Sequence, residues 1–285
     1  VLTTVQNVMT STSSLKTACT RLKTLNVALI GPPGSGKGSY GKLLAKSLPR
    51  ATLITASDVI RGHNLAANQA NATPNQPPNS STNNEEQLRA MASGSLLSDT
   101  FVSEVILKYM LRLQEENVNR RTKTIPGSAI HIFDGFPRTM GQIQAMNETW
   151  PMHLQIQKAV SLEVPRTVCE MKLLGRRECQ SCGKAVNIAN VNNIDGFVLP
   201  PSLCGCIRPS YTQRDDDNPA VIKNRLDVFD RQTAPILDHY DTKDGGGTAL
   251  LRFAPYRGYD DLARFQTALQ HWLGVQVGGK DSTVT

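Results

Sequence analysis

Short apolar runs alternate with stretches of helical spacing along this chain. Asn26–Ile30 is one such run; it ends at Gly31 and predicts a buried strand. Lys37 to Leu48 places Tyr40, Leu43, Leu44 and Leu48 at helical spacing, so the order there is strand, Gly-rich loop, helix. Glu85 to Met91 and Asp99 to Glu116 also have a helical pattern, with Ser98 as the candidate cap of the second. Ala129–Phe133 and Lys158–Val164 are further strand candidates. Helical periodicity returns from Pro219 to Tyr240, Leu250–Phe253 reads as a last strand, and Asp260–Leu273 as a last helix. Strands that alternate with helices predict an α/β fold with a parallel sheet.

Three stretches break this rhythm. Residues 68–84 are dominated by Asn, Pro, Gln and Ser, and predict a mobile surface insertion, since they hold too little apolar surface to offset ordering. Residues 177–214 are rich in Gly, Pro, Asn and Cys and predict a separate small module. Residues 1–24 carry many Ser and Thr, three basic residues and no acid. That composition matches an organelle-targeting leader, with a mitochondrion as the expected destination; a disordered tail on a cytoplasmic protein is the alternative. No internal repeat is visible.

Composition narrows the class. Hydrophobic residues make up 39% and charged ones 19%, as in ordinary globular proteins, and no apolar run nears the length of a membrane-spanning helix. The net charge is +7, and its excess is local. Seven basic residues precede the first acid, Asp58, and beyond that point the charges balance. A nucleic-acid-binding surface spreads its charge more widely, so no nucleic-acid partner is expected. Of six cysteines, four (Cys179, Cys182, Cys204 and Cys206) fall within 28 residues. That clustering points to a metal or to local bridges and not to a disulfide framework.

Two motifs carry chemistry. Gly31-Pro-Pro-Gly34-Ser35-Gly36-Lys37 fits G-x4-G-K between a strand and a helix. Its glycines let backbone N–H groups turn toward phosphate oxygens, the helix N-terminus adds positive potential, and Lys37 supplies a point charge. The next residue is Gly38, so the hydroxyl comes one position later than in the strict pattern, at Ser39. Phe133-Asp134-Gly135-Phe136-Pro137-Arg138-Thr139 is the second motif. Asp134 stands at a strand's C-terminal end, where α/β sheets present ligands, and can hold the hydration shell of Mg²⁺. Arg138 follows within one turn, placed for a second anionic group.

With these motifs the chain resembles the adenylate kinases, within the nucleoside monophosphate kinase family. The resemblance runs on through Asp58-Val-Ile-Arg61, Gln142, Gly175-Arg176-Arg177, and Arg214-Asp-Asp-Asp217 with Arg225, and covers about residues 25–275. It implies a three-layer parallel-sheet core of the P-loop kinase type over 25–285, with two mobile parts. These are a monophosphate-binding segment at about 55–97 and a long lid at about 177–213. The implied reaction is ATP plus AMP to two ADP, with Mg²⁺, in a protein expected to be a monomer.

The resemblance also assigns roles. Lys37, Arg138, Arg176, Arg214 and Arg225 become the catalytic cations. Gly34, Ser35, Gly36, Lys37, Gly38, Ser39, Lys172, Arg176 and Arg257 face ATP. Thr55, Arg61, Gly94, Ser95, Leu97, Gly135, Arg138, Gln142, Arg214 and Arg225 face AMP, with Gln142 reading adenine. Asp134 and Ser39 serve Mg²⁺ through water, and Asp216 and Asp217 are hinge acids of the lid.

Two positions depart from the pattern. Ala56 stands where the family has Thr, so Thr55 must supply that contact, and Lys172 replaces an arginine that stacks on adenine. Another donor or acceptor, such as GTP with AMP, is the alternative reading of the reaction.

Cys179-x2-Cys182 and Cys204-x-Cys206 suit a Cys₄ zinc site like that in some lids of this family, although the second half is tighter than usual. The rival for this region, a zinc-ribbon nucleic-acid module, is poorly supplied. Residues 178–213 hold two aromatics, Phe197 and Tyr211, with Lys184 and Arg208 as the basics.

Overall fold

The structure is a computed structural model, and it describes residues 24–48, 51–70, 96–119, 129–241 and 249–272. Five parallel strands form the central sheet: β1 (Thr24–Ile30), β2 (Ala51–Thr55), β3 (Ala129–Asp134), β4 (Lys158–Leu162) and β10 (Leu250–Phe253). Their order is β10-β4-β1-β3-β2. Between β1 and β2 comes helix α1 (Lys37–Ser47). Helices α2 (Ala56–Ala70) and α3 (Asp99–Asn119) lie between β2 and β3, and α4 (Met140–Thr149) between β3 and β4. After β4 the chain continues with α5 (Arg166–Leu174), and later with α6 (Pro219–Val228) and α7 (Ile236–Asp241), before β10 and α8 (Leu262–Trp272).

Alternation along the strands sorts the core into two layers, because successive side chains point to opposite faces. Ala28, Ile30, Ile54, Phe133 and Ala159 face a cluster completed by Val102, Ile106 and Met110 of α3, Ile143 and Met146 of α4, and Tyr240 of α7. Val27, Leu29, Ile132, Val160 and Leu162 face the other, with Tyr40 and Leu44 of α1 and Phe265 and Leu269 of α8. Phe136 stacks on Trp150 with ring centroids 5.4 Å apart, and Trp150 Nε1 donates to Ser103 Oγ at 3.0 Å, which fixes α4 against α3.

A small antiparallel module interrupts the core between α5 and α6. It consists of β5 (Arg176–Cys179), β6 (Ala185–Asn187), β7 (Val191–Ile194), β8 (Phe197–Leu199) and β9 (Tyr211–Thr212). The strands pair as β6-β5-β9 and β7-β8. The module occupies residues 176–212, almost the same stretch as the 177–213 expected from the resemblance to be a lid.

The pattern reading needs correction in several places. β2 escaped it because this edge strand buries only Ile54 and so shows no apolar run. Helix α4 escaped because a buried Gln142 interrupts its apolar face. The predicted helix Pro219–Tyr240 is three pieces. Asn218 Oδ1 accepts from the Val221 amide to cap α6, Phe229–Thr233 widens into a π turn, and α7 resumes at Ile236. Pro235 explains the break: it lacks an amide hydrogen, and in a regular helix its ring clashes with the carbonyl four residues back.

The last helix opens with a 3₁₀ turn at Gly258–Asp261. Helix α2 runs to Ala70, so the first residues of the predicted 68–84 insertion are helical. The rest of that insertion, the helix predicted at Glu85–Met91, the site residues Gly94 and Ser95, and the leader up to residue 23 lie outside the described residues. Thr24, the last residue assigned to the leader, already belongs to β1.

One polar pair is built into the sheet. Asn26 and His131 are register partners on β1 and β3, and both are buried. Asn26 Nδ2 donates to the carbonyls of His153 and Gln155, at 3.1 and 3.3 Å, so its Oδ1 must accept from His131 Nδ1 at 2.8 Å. Burial holds the His131 imidazole neutral, down to about 4. The unfolded chain therefore binds the extra proton first as pH falls. Stability should be intact above about pH 6.5 and should drop by about 3 kcal/mol between there and pH 4 through this group alone. Urea titrations across that range check it: His131→Gln should flatten the slope, and an unchanged slope would show that other groups carry the acid loss.

Candidate active site

The topology places the site. The connection leaving β1 travels toward β2, and the one leaving β3 crosses to β4 on the other side of β1. A crevice opens at the carboxyl ends of strands where such connections diverge, here between β1 and β3. Leu29 pairs with Asp134, and Asp134 with Thr55, so three strand ends stop side by side.

The loop after β1 folds as its glycines predict. Gly36 takes φ 92° at the N-cap of α1, and the amides of Ser39 and Tyr40 donate to its carbonyl. Gly34 has φ 89°, and a Cβ there would lie 2.7 Å from the Cys169 carbonyl, so α5 backs directly onto the loop. Helix α5 is pinned in turn by Arg166, which donates to Asp227 at 2.7 Å, Asp230 at 2.8 Å and Glu170 at 3.2 Å. Lys37 Nζ donates to the carbonyls of Gly31 and Pro32, at 2.6 and 2.9 Å. Burial lowers its ammonium to about 8, against the attraction of Asp134.

Asp134 stands across the crevice from the first turn of α1. A Cβ on Gly38 would lie 3.4 Å from Asp134 Oδ2, which gives the Gly-after-Lys variant of the motif a spatial reason: the carboxylate comes close to the helix start. Ser39 follows on the same turn. A carboxylate and a hydroxyl are hard oxygen ligands, and together they fit Mg²⁺ held through its waters.

The turn after Asp134 is equally constrained. Gly135 has φ 87°, and Arg138 Nε donates back to its carbonyl at 3.0 Å. Thr139 Oγ1 caps α4 by accepting from the Gln142 amide, and donates to Asp99 Oδ1 at 2.6 Å. The start of α3 is thus tied to the start of α4. Gln142 is buried, and its Oε1 accepts from the Arg138 amide at 2.7 Å. That contact sets the orientation of its amide. Thr55 ends β2 and Arg61 lies on α2, where it pairs with Asp58 at 2.5 Å; Leu97 packs against the core cluster of α2 to α4.

The arginines converge from the module side. Arg176 Nε and Nη2 grip the fully buried carboxylate of Asp217 at 2.6 and 2.5 Å. Arg225 Nη1 donates to Asp216 at 2.9 Å, and Arg176 Nη2 reaches the same carboxylate at 3.8 Å. Burial pulls Arg225 below its ordinary value; Asp216 opposes this, and the charges of Arg176 and Arg214 add to it. Burial does the same to Arg138, with Asp134 opposing and Arg225 adding. Lys37, Arg138 and Arg225 are therefore close enough to feel one another. Arg214 is exposed beside them, at the end of the module.

On the far side of the loop, Lys172 is half-buried on α5 and Arg257 sits just before the 3₁₀ turn, its amide donating to Asp261. Of the residues named from the sequence, the structure brings Lys37, Asp134, Arg138, Arg176 and Arg225 near one another.

Comparison with known proteins identifies the family. The family model for adenylate kinase matches residues 29–245. An adenylate kinase of Nitrosococcus oceani is 31% identical over 227 residues, covering 77% of this chain and 88% of the relative. One from Clostridium botulinum is 32% identical over 224 residues, with the same coverage. The chain belongs to the adenylate kinase family. It is a nucleoside monophosphate kinase, a phosphotransferase acting on nucleotides, and adenylate kinases use Mg²⁺ with the nucleotide. Among the described residues no helix is long and apolar enough to cross a membrane.

The four clustered cysteines meet in the module. Their sulfurs all lie within 4.8 Å of one another, with Cys179 and Cys206 at 3.9 Å. Zinc–sulfur bonds of about 2.3 Å in a tetrahedron put the sulfurs about 3.8 Å apart, so the set fits a Cys₄ site despite the tight Cys204-x-Cys206 spacing.

The sequence reading missed Tyr259. Its hydroxyl lies 3.1 Å from Ser39 Oγ, across 220 positions of chain, and no local pattern marks such a contact.

The loop geometry yields a graded expectation. Gly34→Ala meets both a left-handed backbone and the Cys169 carbonyl, whereas a Cβ on Gly36 has nothing nearer than the Tyr40 ring at 3.8 Å. Gly36→Ala should cost about 1 kcal/mol from strain, and Gly34→Ala about 2–4 kcal/mol with displacement of the loop from α5. Melting and ATP titration of the two variants would test this; equal losses would deny the contact with α5 its role.

Proposed function

We propose that this enzyme transfers the terminal phosphoryl group of ATP to AMP, giving two ADP. The observation that carries the acceptor half is the fixed amide of Gln142. Its carbonyl oxygen is engaged by the Arg138 amide, so its NH₂ is the group left to offer. Adenine presents an acceptor at N1, and guanine presents a donor there. A committed NH₂ donor in a buried setting favours the first, since a mismatched polar pair out of water costs several-fold to a thousand-fold.

In the reaction an ionised oxygen of the AMP phosphate attacks the γ-phosphorus. The bond from that phosphorus to the β–γ bridging oxygen breaks, and its electrons leave with ADP. No proton needs to be removed from the nucleophile, so no general base is required. Catalysis then rests on position and charge. Lys37 and the loop amides hold the β and γ phosphates, and Arg138 lies between donor and acceptor on the Asp134 turn. Asp134 and Ser39 would hold Mg²⁺ through its waters, and the bound ion would add neutralisation of the triphosphate. Arg176 and Arg225 rest on Asp217 and Asp216 and would exchange those carboxylates for phosphate oxygens as the module closes. Closure brings Arg214 in as well and keeps water from the phosphoryl group.

A coupled assay with ATP, AMP and Mg²⁺, repeated with other nucleotide pairs, tests the assignment; faster transfer from GTP, or to a base other than adenine, would replace it. Arg138→Lys loses a planar two-pronged donor. It should lower turnover by on the order of 10²–10⁵ with a smaller rise in the AMP Michaelis constant. Near-normal turnover would remove Arg138 from the reacting centre.

The reading extends to a structural zinc in the module. Four thiolates leave no open position for substrate, and the module's short strands bury little apolar surface of their own, so metal would supply folding free energy. Elemental analysis should find about one zinc per chain. Chelation under reducing conditions should lower the melting temperature and spare ATP binding at the loop. Metal-free protein, with Cys→Ser variants that melt normally, would show that packing alone holds residues 177–213.

A further inference from the structure

The first residues of α3 and α4 are joined by one carboxylate. Asp99, which opens α3, accepts the Thr139 hydroxyl on Oδ1 at 2.6 Å. Its other oxygen fills the space beside Gly141, where an added Cβ would overlap Oδ2 and lie 3.0 Å from Asp99 Cγ. The carboxylate is held in place from further along α3. There Ser103 Oγ accepts the Trp150 indole N–H at 3.0 Å, and Val102 shares a core cluster with Ile143 and Met146 of α4.

A threonine hydroxyl has a single proton. With that proton given to Asp99, only lone pairs face α4, and one of them accepts the Gln142 amide at 3.1 Å. A hydroxyl that donates to an ionised carboxylate is the stronger acceptor, because hydrogen bonds in a chain polarise one another. Gln142 stands at the third position of α4. A glutamine there commonly reaches back to the amide of the capping residue. Here its Oε1 goes one residue further, to the Arg138 amide at 2.7 Å. The contacts therefore run in series from Asp99 through Thr139 and Gln142 to Arg138.

We propose that Asp99 is a positioning residue for acceptor selection, which keeps the Gln142 NH₂ toward the purine by holding the first turn of α4 through Thr139. This inference rests on the AMP reading given above. In a loosened turn the Gln142 amide is free to turn over. Its oxygen then faces ring position 1, where a 6-oxopurine such as inosine monophosphate (IMP) carries N–H and adenine carries a bare acceptor. The brace thus acts against 6-oxopurines, and Asp99 acts through Thr139 and Gln142.

The test assays the full chain with ATP and Mg²⁺ against AMP and against IMP, and reads the ratio of the two kcat/KM values. Asp99→Ala should lower that ratio by about 10- to 100-fold, the range of one charge-assisted hydrogen bond. The AMP Michaelis constant should rise more than turnover falls. The ATP Michaelis constant should hold, since α5 braces the phosphate loop separately. Asp99→Asn keeps an oxygen for the Thr139 hydroxyl and should stay within about fivefold of the parent ratio. Gly141→Ala tests the same carboxylate without altering it. Alanine is the better helix former, yet its Cβ must push Oδ2 aside. It should lower the ratio as Asp99→Ala does, and add nothing further in the Asp99→Ala background.

Equal losses for AMP and IMP would reduce Asp99 to a structural brace and overturn the proposal. So would an unaltered ratio in Gly141→Ala, or losses that add when the two changes are combined. A parent enzyme that prefers IMP would overturn the AMP reading instead; a shift of that preference in both Asp99→Ala and Gly141→Ala would still uphold the positioning role.

Discussion

Cationic side chains gathered in one cleft repel one another and need partners close by. Lys37, Arg138, Arg176 and Arg225 converge on the crevice between β1 and β3, and their mutual repulsion has to be offset by the protein itself. Each borrows a partner. Lys37 takes the carbonyls of Gly31 and Pro32, Arg138 that of Gly135, Arg176 the carboxylate of Asp217 and Arg225 that of Asp216. A desolvated ion pair is close to neutral in net free energy, because lost hydration nearly cancels the attraction. Such pairs hold the arginines in place more by geometry than by net energy.

The rest of the architecture keeps that cleft in register. The loop is pressed on one side by α5 through the Cys169 carbonyl, and α5 is fastened to α6 and the π turn by Arg166 with three acids. On the other side the Asp134 turn is fastened to α3 through Thr139 and Asp99. The phosphate loop and the Asp134 turn are thus set by separate braces on a common sheet. The module carrying the cysteines is joined to the cleft by Arg176 at one end and by the Arg214–Asp217 stretch at the other, where Asp217 and Asp216 hold Arg176 and Arg225.

Much of the site is legible in the residues themselves. Gly31 to Lys37 between an apolar run and a helical pattern, and Asp134 to Thr139 after a second run, are local signals; their chemistry follows from spacing within a few residues. The four cysteines are legible as a cluster but not as a set of convergent sulfurs, since the Cys204-x-Cys206 spacing alone suggests strain. The edge strand β2, the buried Gln142 of α4 and the π turn before Pro235 escape or mislead a pattern reading for one reason. Edge exposure, a buried polar residue and a widened helix all blur the period that such a reading depends on.

The sequence by itself determined the alternation of strand and helix, the phosphate loop and the acidic strand end, because each is written in neighbouring residues; the list of arginines came only with the family resemblance that those motifs carry. Only the tertiary structure decided which arginine rests on which acid, that Gly34 lies against a carbonyl of α5, that the amide of Gln142 is already turned by Arg138, and that Tyr259 reaches Ser39. Those contacts join residues far apart along the chain or depend on a left-handed backbone and the space around it. Their energies come from burial and geometry, which no local pattern encodes.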